Sequence, residues 1–325
     1  MKLVVVIPVC NEENTLEALL KGILVHTPST DCEVVFVDDG STDQSYRVLT
    51  GLHERFKQVR VLKFRRNFGK TLALAAAFRC IEGDVVVTMD GDLQDDPAEI
   101  PKLLAKLDEG YDLVCGWKAD RRDPWHKTIP SRVYNAGIAW LFGHKLHDIN
   151  TGFKAMRMEV AKQLPMYGEM HRMIVVNALA LGYKVAEVPV KHHPRRFGKS
   201  QFGLERFHRG VADALTTWFL NRHGQAPNHF FYLAGFLTGA VGKIMLLAGV
   251  LGVIGFPWIE TYLGFRLTLL LVCVGFGLGF SLICASLQAF MSGLLAELII
   301  RRDAAVPIDA RIEQMLASSL ERKRD

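Results

Sequence analysis

Three absences narrow the chemistry open to this chain. Its six cysteines, at positions 10, 32, 80, 115, 273 and 284, form no CxxC pair and have no histidine cluster beside them. Neither a disulfide framework nor a zinc site is therefore expected, and reduced, buried thiols are the simpler reading. Charge of one sign is not in excess: the formal net charge is +5 over 325 residues. That total carries no electrostatic footprint for nucleic acid. The apolar run at the N-terminus, "MKLVVVIPVCNEE", is short, meets acidic residues at once and lacks a small-residue cleavage site, so it reads as a first strand and not as a signal peptide.

What the chain does have is unevenly placed. Residues 1–229 are a mixed globular sequence, whereas 230–300 are mostly apolar. "FPWIETY" at 256–262 divides the apolar region into candidate spans at 230–255 and 266–291, each longer than the roughly 20 residues that cross a bilayer. Lys243 sits near the middle of the first, at a cost of about 2.5–3.5 kcal/mol on insertion scales. A helix partner or snorkelling toward an interface accommodates it. Arg195, Arg196, Lys199, Arg206, Arg209 and Arg222 precede the apolar region, and Arg301, Arg302, Arg311, Arg322, Lys323 and Arg324 follow it. The separator holds Glu260 but no Lys or Arg before Arg266. The positive-inside rule then places 1–229 and the tail in the cytosol, with two transmembrane helices between them. Gly235 and Gly239, and Gly275 and Gly279, form small-xxx-small pairs that permit close packing within one chain or in a homo-oligomer. Ile308, Ile312, Met315, Leu316 and Leu320 share one face if 301–325 forms a tail helix.

The first part of the chain alternates strand and helix signals. "KLVVVIPV", "EVVFVDD", "VRVLKF", "DVVVTMD" and "DLVCGW" are β-rich runs separated by helical patterns at 12–25, 43–55, 70–81 and 98–109. Residues 157–181 read as largely helical, and "KVAEVPVKH" as a late strand whose Pro189 suits a sheet edge. This order predicts an α/β domain with a mostly parallel sheet. In such sheets ligands bind beyond the carboxyl ends of the strands. "PVCNEE", "VDDGSTD" and "MDGDLQDD" would meet there. Asp90 and Asp92 point the same way if extended geometry persists between them, and Gly91 lets backbone approach a ligand. Two crowded carboxylates repel unless a cation lies between them, and oxygen-only ligands suit Mg²⁺ or Mn²⁺. Asp95 and Asp96, just before Pro97, read as the start of the next helix. His147, His192 and His193 read as surface or loop residues and not as ligands.

"VVIPVCNEENTL", "VVFVDDGSTD", "RRNFGKTLALAAAF", "DVVVTMDGDLQDDP" and "INTGFKAMR" follow one another in an order and spacing that resembles the family 2 glycosyltransferases of GT-A (Rossmann-like) fold. More narrowly, the chain is similar to the polyisoprenyl-phosphate glycosyltransferases, the dolichol-phosphate mannose synthases and bacterial relatives with two C-terminal membrane helices. The resemblance covers residues 1–300. It implies a GT-A domain at 1–200, amphipathic juxtamembrane helices at 201–229, a two-helix membrane region at 230–300 and a cytosolic tail at 301–325. It also implies inverting transfer from a nucleotide sugar, UDP- or GDP-linked, to a polyprenyl phosphate at the cytosolic face of a membrane, the bacterial inner membrane by analogy. Another glycolipid or polysaccharide acceptor is the alternative within the family, although the acceptor-binding QxxRW signature is missing. A non-catalytic membrane scaffold is the alternative outside it. By resemblance, Pro8, Asn11 and Glu12 belong to a nucleotide-binding loop and Asp39 contacts base or ribose. Asp90, Asp92 and Gln94 form the metal site, and Asp148 lies near the reacting centre, as base or as positioner. Arg132 and Arg196 lie near the phosphates. The family pattern departs at "RFGKSQFG", where Gln201 stands in place of an expected Lys and Lys199 would supply the charge.

Overall fold

A computed structural model describes residues 1–27, 31–118, 137–139, 141–143, 146–194, 204–223, 227–301 and 312–316. They divide into two units: Met1–Trp218 with the C-terminal strand, and a second unit that begins at Phe219.

The Val-rich runs become the sheet of the first unit. Its strands are β1 (Lys2–Val9), β2 (Asp31–Asp38), β3 (Val59–Phe64), β4 (Val85–Thr88), β5 (Leu113–Trp117), β6 (Lys154–Arg157), β7 (Val185–Pro189) and β8 (Ile312–Leu316). They lie in the order β7-β5-β6-β4-β1-β2-β3-β8. β1 pairs in parallel with β2 and β4, β2 with β3, and β5 with β7. β6 and β8 run against their neighbours, so six of the eight strands point one way.

Helices α1 (Leu16–His26), α2 (Ser45–Arg55), α3 (Lys70–Cys80), α4 (Ile100–Asp108), α5 (Met158–Gln163) and α6 (Ile174–Ala180) cover the sheet. Alternation along β1 splits the core in two. Val4 and Val6 pack with α3 and α6, whereas Leu3, Val5 and Ile7 pack with α1, α2 and α4. Each fully buried Val, Leu or Ile contributes about 1.5–3 kcal/mol. A strand buried on both faces has no polar face to present, which explains the near-continuous valines.

β6 was not legible as a strand. It is only four residues long, and its partners β4 and β5 lie far away in sequence. Because it is antiparallel, its first residue, Lys154, pairs with Thr88 at the end of β4, so the loop before β6 reaches the same rim as the ends of the parallel strands. The long helix expected over 157–181 is broken into α5, a 3₁₀ turn at Met170–Arg172 and α6. The tail differs from expectation as well. Residues 312–316, placed on an amphipathic helix by their spacing, form β8 against the otherwise open edge of β3. An unpaired strand edge offers a row of backbone donors and acceptors, and that outweighs a weak helical period.

α7 (Leu204–His223) turns Ala214 and Thr217 inward and leaves Val211 and Leu215 exposed. The second unit holds α8 (Pro227–Ile254), α9 (Phe256–Leu263) and α10 (Phe265–Arg301). α8 and α10 are long and apolar enough to cross a membrane. Only 17% and 11% of their most apolar windows are buried, unlike the core helices of a soluble domain. Leu233, Phe236, Ile244, Leu251, Phe280 and Leu287 are among the apolar side chains left outside. The glycines are used between these two helices. A Cβ at Gly235 would lie 3.0 Å from the Ser286 carbonyl, one at Gly242 would lie 2.9 Å from the Gly279 carbonyl, and one at Gly279 would lie 2.8 Å from Leu246. Ser286 Oγ donates to the Gly235 carbonyl at 2.6 Å. The close packing anticipated from the small-residue pairs therefore occurs within one chain. Lys243 is exposed on α8.

Candidate active site

The polar segments at the strand ends converge through hydrogen bonds made between loops. Asn11 follows β1 in a left-handed conformation, with φ of 58°. Its Oδ1 accepts from the amides of Thr42 (2.8 Å) and Asp43 (3.3 Å), and its own amide donates to Ser41 Oγ at 3.0 Å. The Glu12 amide donates to Ser45 Oγ at 2.8 Å. Asn11 and Glu12 thus lock the loop after β1 to the loop after β2. Pro8 lies near the end of β1 opposite Val37, just beyond the last β1–β4 pair, Val6↔Thr88.

Asp39 does similar work at the next loop. Its carboxylate accepts from the amides of Phe68 (2.7 Å) and Gly69 (2.9 Å), which fixes the turn into α3. Burial raises its pKa above the usual aspartate value, against the lowering effect of those two amides.

The Asp90–Asp96 loop is the densest part. Asp90 is ion-paired with Lys70, the first residue of α3. A Cβ at Gly152 would lie 2.7 Å from Asp90 Oδ2, and one at Gly91 would collide with the Glu12 carboxylate. Glycine at those two places is what admits the two acids. Asp92 is buried, and its Oδ1 accepts from the Gln94 amide at 3.1 Å. Leu93 between them is left-handed, with φ of 59°. Asn11 and Leu93 are the two non-glycine residues of positive φ among the described residues. Both lie in these loops, where strain is held in place by bonds on either side.

Asp96 caps the following turn as expected, accepting from the Ala98 amide at 2.9 Å. Asp95 does not. It is buried, 3.2 Å from Lys118 Nζ and 3.6 Å from His192 Nδ1. Burial opposes its charge, but Lys118 and His192 outweigh that and hold the carboxyl well below the usual range. His192 and His193, in the loop after β7, are both engaged. The Gln94 side chain lies 3.4 Å from His192 Nε2 and from the His193 carbonyl, while His193 Nε2 lies 3.1 Å from Asp96.

Asp148 is also buried, and its backbone amide donates to Glu187 Oε1 at 2.9 Å. Its carboxylate is felt by two lysines that composition did not single out. Burial works against the charge on Lys118, yet Asp95, then Asp90 and Asp148, raise its pKa above the ordinary lysine value. At Lys154 burial prevails and lowers the pKa, assisted by Lys70 and opposed by Cys115, Asp148 and Asp90. Lys154 also donates to the Thr151 carbonyl.

The structure therefore brings Asp90 and Asp148 within electrostatic reach of the same two lysines, and ties Asn11, Glu12, Asp39, Asp92 and Gln94 into the surrounding loops. Arg132, Arg196 and Lys199 lie outside the described residues. Sequence reasoning missed Lys70, Lys118, Lys154, Glu187 and His192. The available signal was charge at strand ends and inside strands, where burial forces a partner. The six cysteines are free, and against the expectation of buried thiols only Cys32 and Cys115 are buried. Burial pushes the Cys115 thiol up to about 12, which makes it inert.

Among the described residues no three His, Cys, Asp or Glu side chains group into a metal cage. Asp90 and Asp92, two apart in the sequence, supply oxygen donors alone, a partial shell at most. Such a shell fits a hard divalent ion that takes its remaining ligands from phosphate oxygens.

Known proteins resemble this chain over most of its length. The family model described as Glycosyl transferase family 2 matches residues 4–165. The dodecaprenyl-phosphate galacturonate synthase of Rhizobium johnstonii is 34% identical over 327 residues, covering 94% of this chain and 91% of its own. The undecaprenyl-phosphate 4-deoxy-4-formamido-L-arabinose transferase of Edwardsiella ictaluri is 36% identical over 215 residues, 65% of this chain and 66% of its own. Glucosyl-3-phosphoglycerate synthase from Mycobacterium tuberculosis, solved with Mn²⁺, UDP-glucose and phosphoglyceric acid, superposes with a TM-score of 0.53 at 22% identity, over 68% of this chain and 79% of that one. That last likeness is one of fold alone. A strand-end cluster of acids on a GT-A-like sheet, matched along nearly the whole chain by a lipid-phosphate sugar synthase, leads to one family assignment: the chain belongs to glycosyl transferase family 2 and is a glycosyltransferase.

Proposed function

We propose that this enzyme moves a sugar from a nucleotide sugar to a polyprenyl phosphate, with inversion at the anomeric carbon, at the cytosolic face of a membrane. The observation that carries this reading is the extent of one alignment. The likeness to the Rhizobium synthase spans 94% of the chain, apolar helices included, whereas the M. tuberculosis enzyme matches only 68%. A long isoprenoid leaves a bilayer at a cost of about 0.8 kcal/mol per CH₂, so an enzyme that uses one must work at the membrane surface. α8 and α10 suit the anchor, and the exposed Val211 and Leu215 of α7 suit the interface.

In the proposed reaction an anionic oxygen of the acceptor phosphate bonds to the anomeric carbon. The bond from that carbon to the nucleoside diphosphate breaks, and its electron pair leaves with the diphosphate. The attacking oxygen already carries negative charge near neutral pH, so positioning and electrostatics supply most of the rate. Asp90 and Asp92, with Gln94 beside them, would hold Mg²⁺ or Mn²⁺, which when bound supplies neutralisation of the departing diphosphate. Lys70 can exchange its bond with Asp90 for one with the same phosphates. Asp39 and the loop of Pro8, Asn11 and Glu12 flank the base and ribose. Asp148, whose charge bears on Lys118 and Lys154, orients sugar or acceptor. Arg132, Arg196 and Lys199 would hold the acceptor phosphate, Arg by paired hydrogen bonds.

The test is a transfer assay in membranes containing the enzyme, run with undecaprenyl phosphate and a panel of labelled UDP- and GDP-sugars that includes UDP-galacturonate. Label should enter the organic phase as a mild-acid-labile lipid phosphate, and chelation should stop it. Label appearing only in water-soluble or polymeric product would contradict the reading.

A further inference from the structure

Glu187 is out of place by ordinary rules. It lies on β7, at the edge of the sheet, where charged side chains usually reach into water. Instead its side chain is only 9% exposed. The carboxylate gathers three N–H groups from two consecutive residues. Oε2 accepts from the His147 amide at 2.8 Å and lies 3.1 Å from His147 Nδ1, while Oε1 accepts from the Asp148 amide at 2.9 Å. A carboxylate only accepts, so the imidazole proton belongs on Nδ1. The ring is further fixed by stacking on Trp117, with centroids 4.2 Å apart and planes at 20°.

The same loop is held at its other end. Thr88 Oγ1 donates to the Gly152 carbonyl at 2.8 Å, and the Asp90 carboxylate packs on Gly152. Asp148 therefore sits in a segment pinned on one side by β4 and on the other by Glu187.

We propose that Glu187 is a positioning residue for sugar transfer: it fixes the backbone of His147 and Asp148 and so sets where the Asp148 carboxylate stands relative to Asp90, Lys118 and Lys154. This rests on the reading of Asp148 as a group facing the reacting centre. The residue type follows from the task. Three N–H groups converge, and glutamine has one acceptor oxygen and would turn an NH₂ toward a donor. A shift of about 1 Å at a reacting centre costs on the order of 100-fold in rate.

The experiment compares Glu187→Gln, Glu187→Asp, Asp148→Asn and the Glu187→Gln/Asp148→Asn double variant, all in the full-length protein. It uses the donor found active in the nucleotide-sugar panel and undecaprenyl phosphate, with UDP binding and thermal melting measured beside it. Glu187→Gln should lower kcat about 100-fold while the donor KM and UDP affinity stay within about twofold. Glu187→Asp, which keeps the charge on a shorter stem, should recover part of the rate. In the Asp148→Asn background Glu187→Gln should cost nothing more, because groups acting as one unit are not additive. Wild-type kcat in Glu187→Gln, equal losses of UDP affinity and rate, or multiplying effects in the double variant would each overturn the proposal. If Glu187→Gln does not fold, Glu187→Asp decides, and an unchanged kcat there overturns it. A slow Asp148→Asn beside a fast Glu187→Gln removes this inference alone. A fast Asp148→Asn removes the reading of Asp148, and the inference with it.

Discussion

The two units of the chain bury their backbones by opposite means. In the sheet unit, charge is taken inside and matched: Asp95 with Lys118 and His192, and Asp39 with two amides. In the helical unit there is almost nothing to match. α8 carries Lys243 as its one Lys, Arg, Asp or Glu, and contact with α10 comes through glycines and a serine. The contrast follows from solvent. Water drives apolar strands together and leaves room at their tips for polar networks. Lipid gives helices no such drive, so they associate by close backbone approach. Substitutions in the sheet unit should therefore be felt through unpaired charge, and those in the helical unit through volume.

The largest expected effect is at Lys118. Lys118→Met would leave Asp95 buried without its main counter-charge, at a cost of about 3–5 kcal/mol of stability, measured by chemical or thermal unfolding. The pH dependence gives a second check. The folded pKa of Asp95 is depressed, so its contribution is present above the unfolded aspartate pKa and is lost as pH falls through the folded value. The gap between wild type and Lys118→Met should accordingly narrow in acid. A gap that widens would break the account of this pair.

Next comes Asp92→Asn. The amide keeps one oxygen for the Gln94 N–H and loses the charge and the second acceptor, so the fold should persist while transfer falls about 100- to 1,000-fold. In the helical unit, Gly279→Val should cost about 1–3 kcal/mol through collision with Leu246, seen as earlier unfolding in detergent with UDP binding unchanged. Impaired UDP binding would blur the contrast. The smallest effect belongs to Gly277. It has no neighbour within 4 Å of an added Cβ, so Gly277→Ala should change stability by under about 0.5 kcal/mol.

Much of the sheet unit was legible because its signals are local. Val runs, helical periods and the polar ends of β1, β2 and β4 lie within a few residues of one another, and they pointed to Asp39, Asp90 and Asp92. What stayed hidden was long-range. Lys118 meets Asp95 across a helix and a strand, Glu187 meets His147 across 40 residues, and Gln94 meets His192 across 98. No periodicity records such pairs. β6 and β8 were missed for the same reason, since each is short and is defined by an edge or gap supplied by distant strands. In the helical unit, glycine spacing forecast close packing but left its partner open, and only three dimensions separate a neighbour in the same chain from one in another.

The central claim is that the acids after β4 hold a divalent cation that in turn holds the donor diphosphate. Binding of the active donor's nucleoside diphosphate (UDP or GDP) by full-length protein, titrated with and without Mn²⁺, tests it most directly. Wild type should gain about tenfold or more in that affinity from the ion, and Asp92→Asn should gain none. An equal gain in both, or no gain in wild type, would contradict the claim.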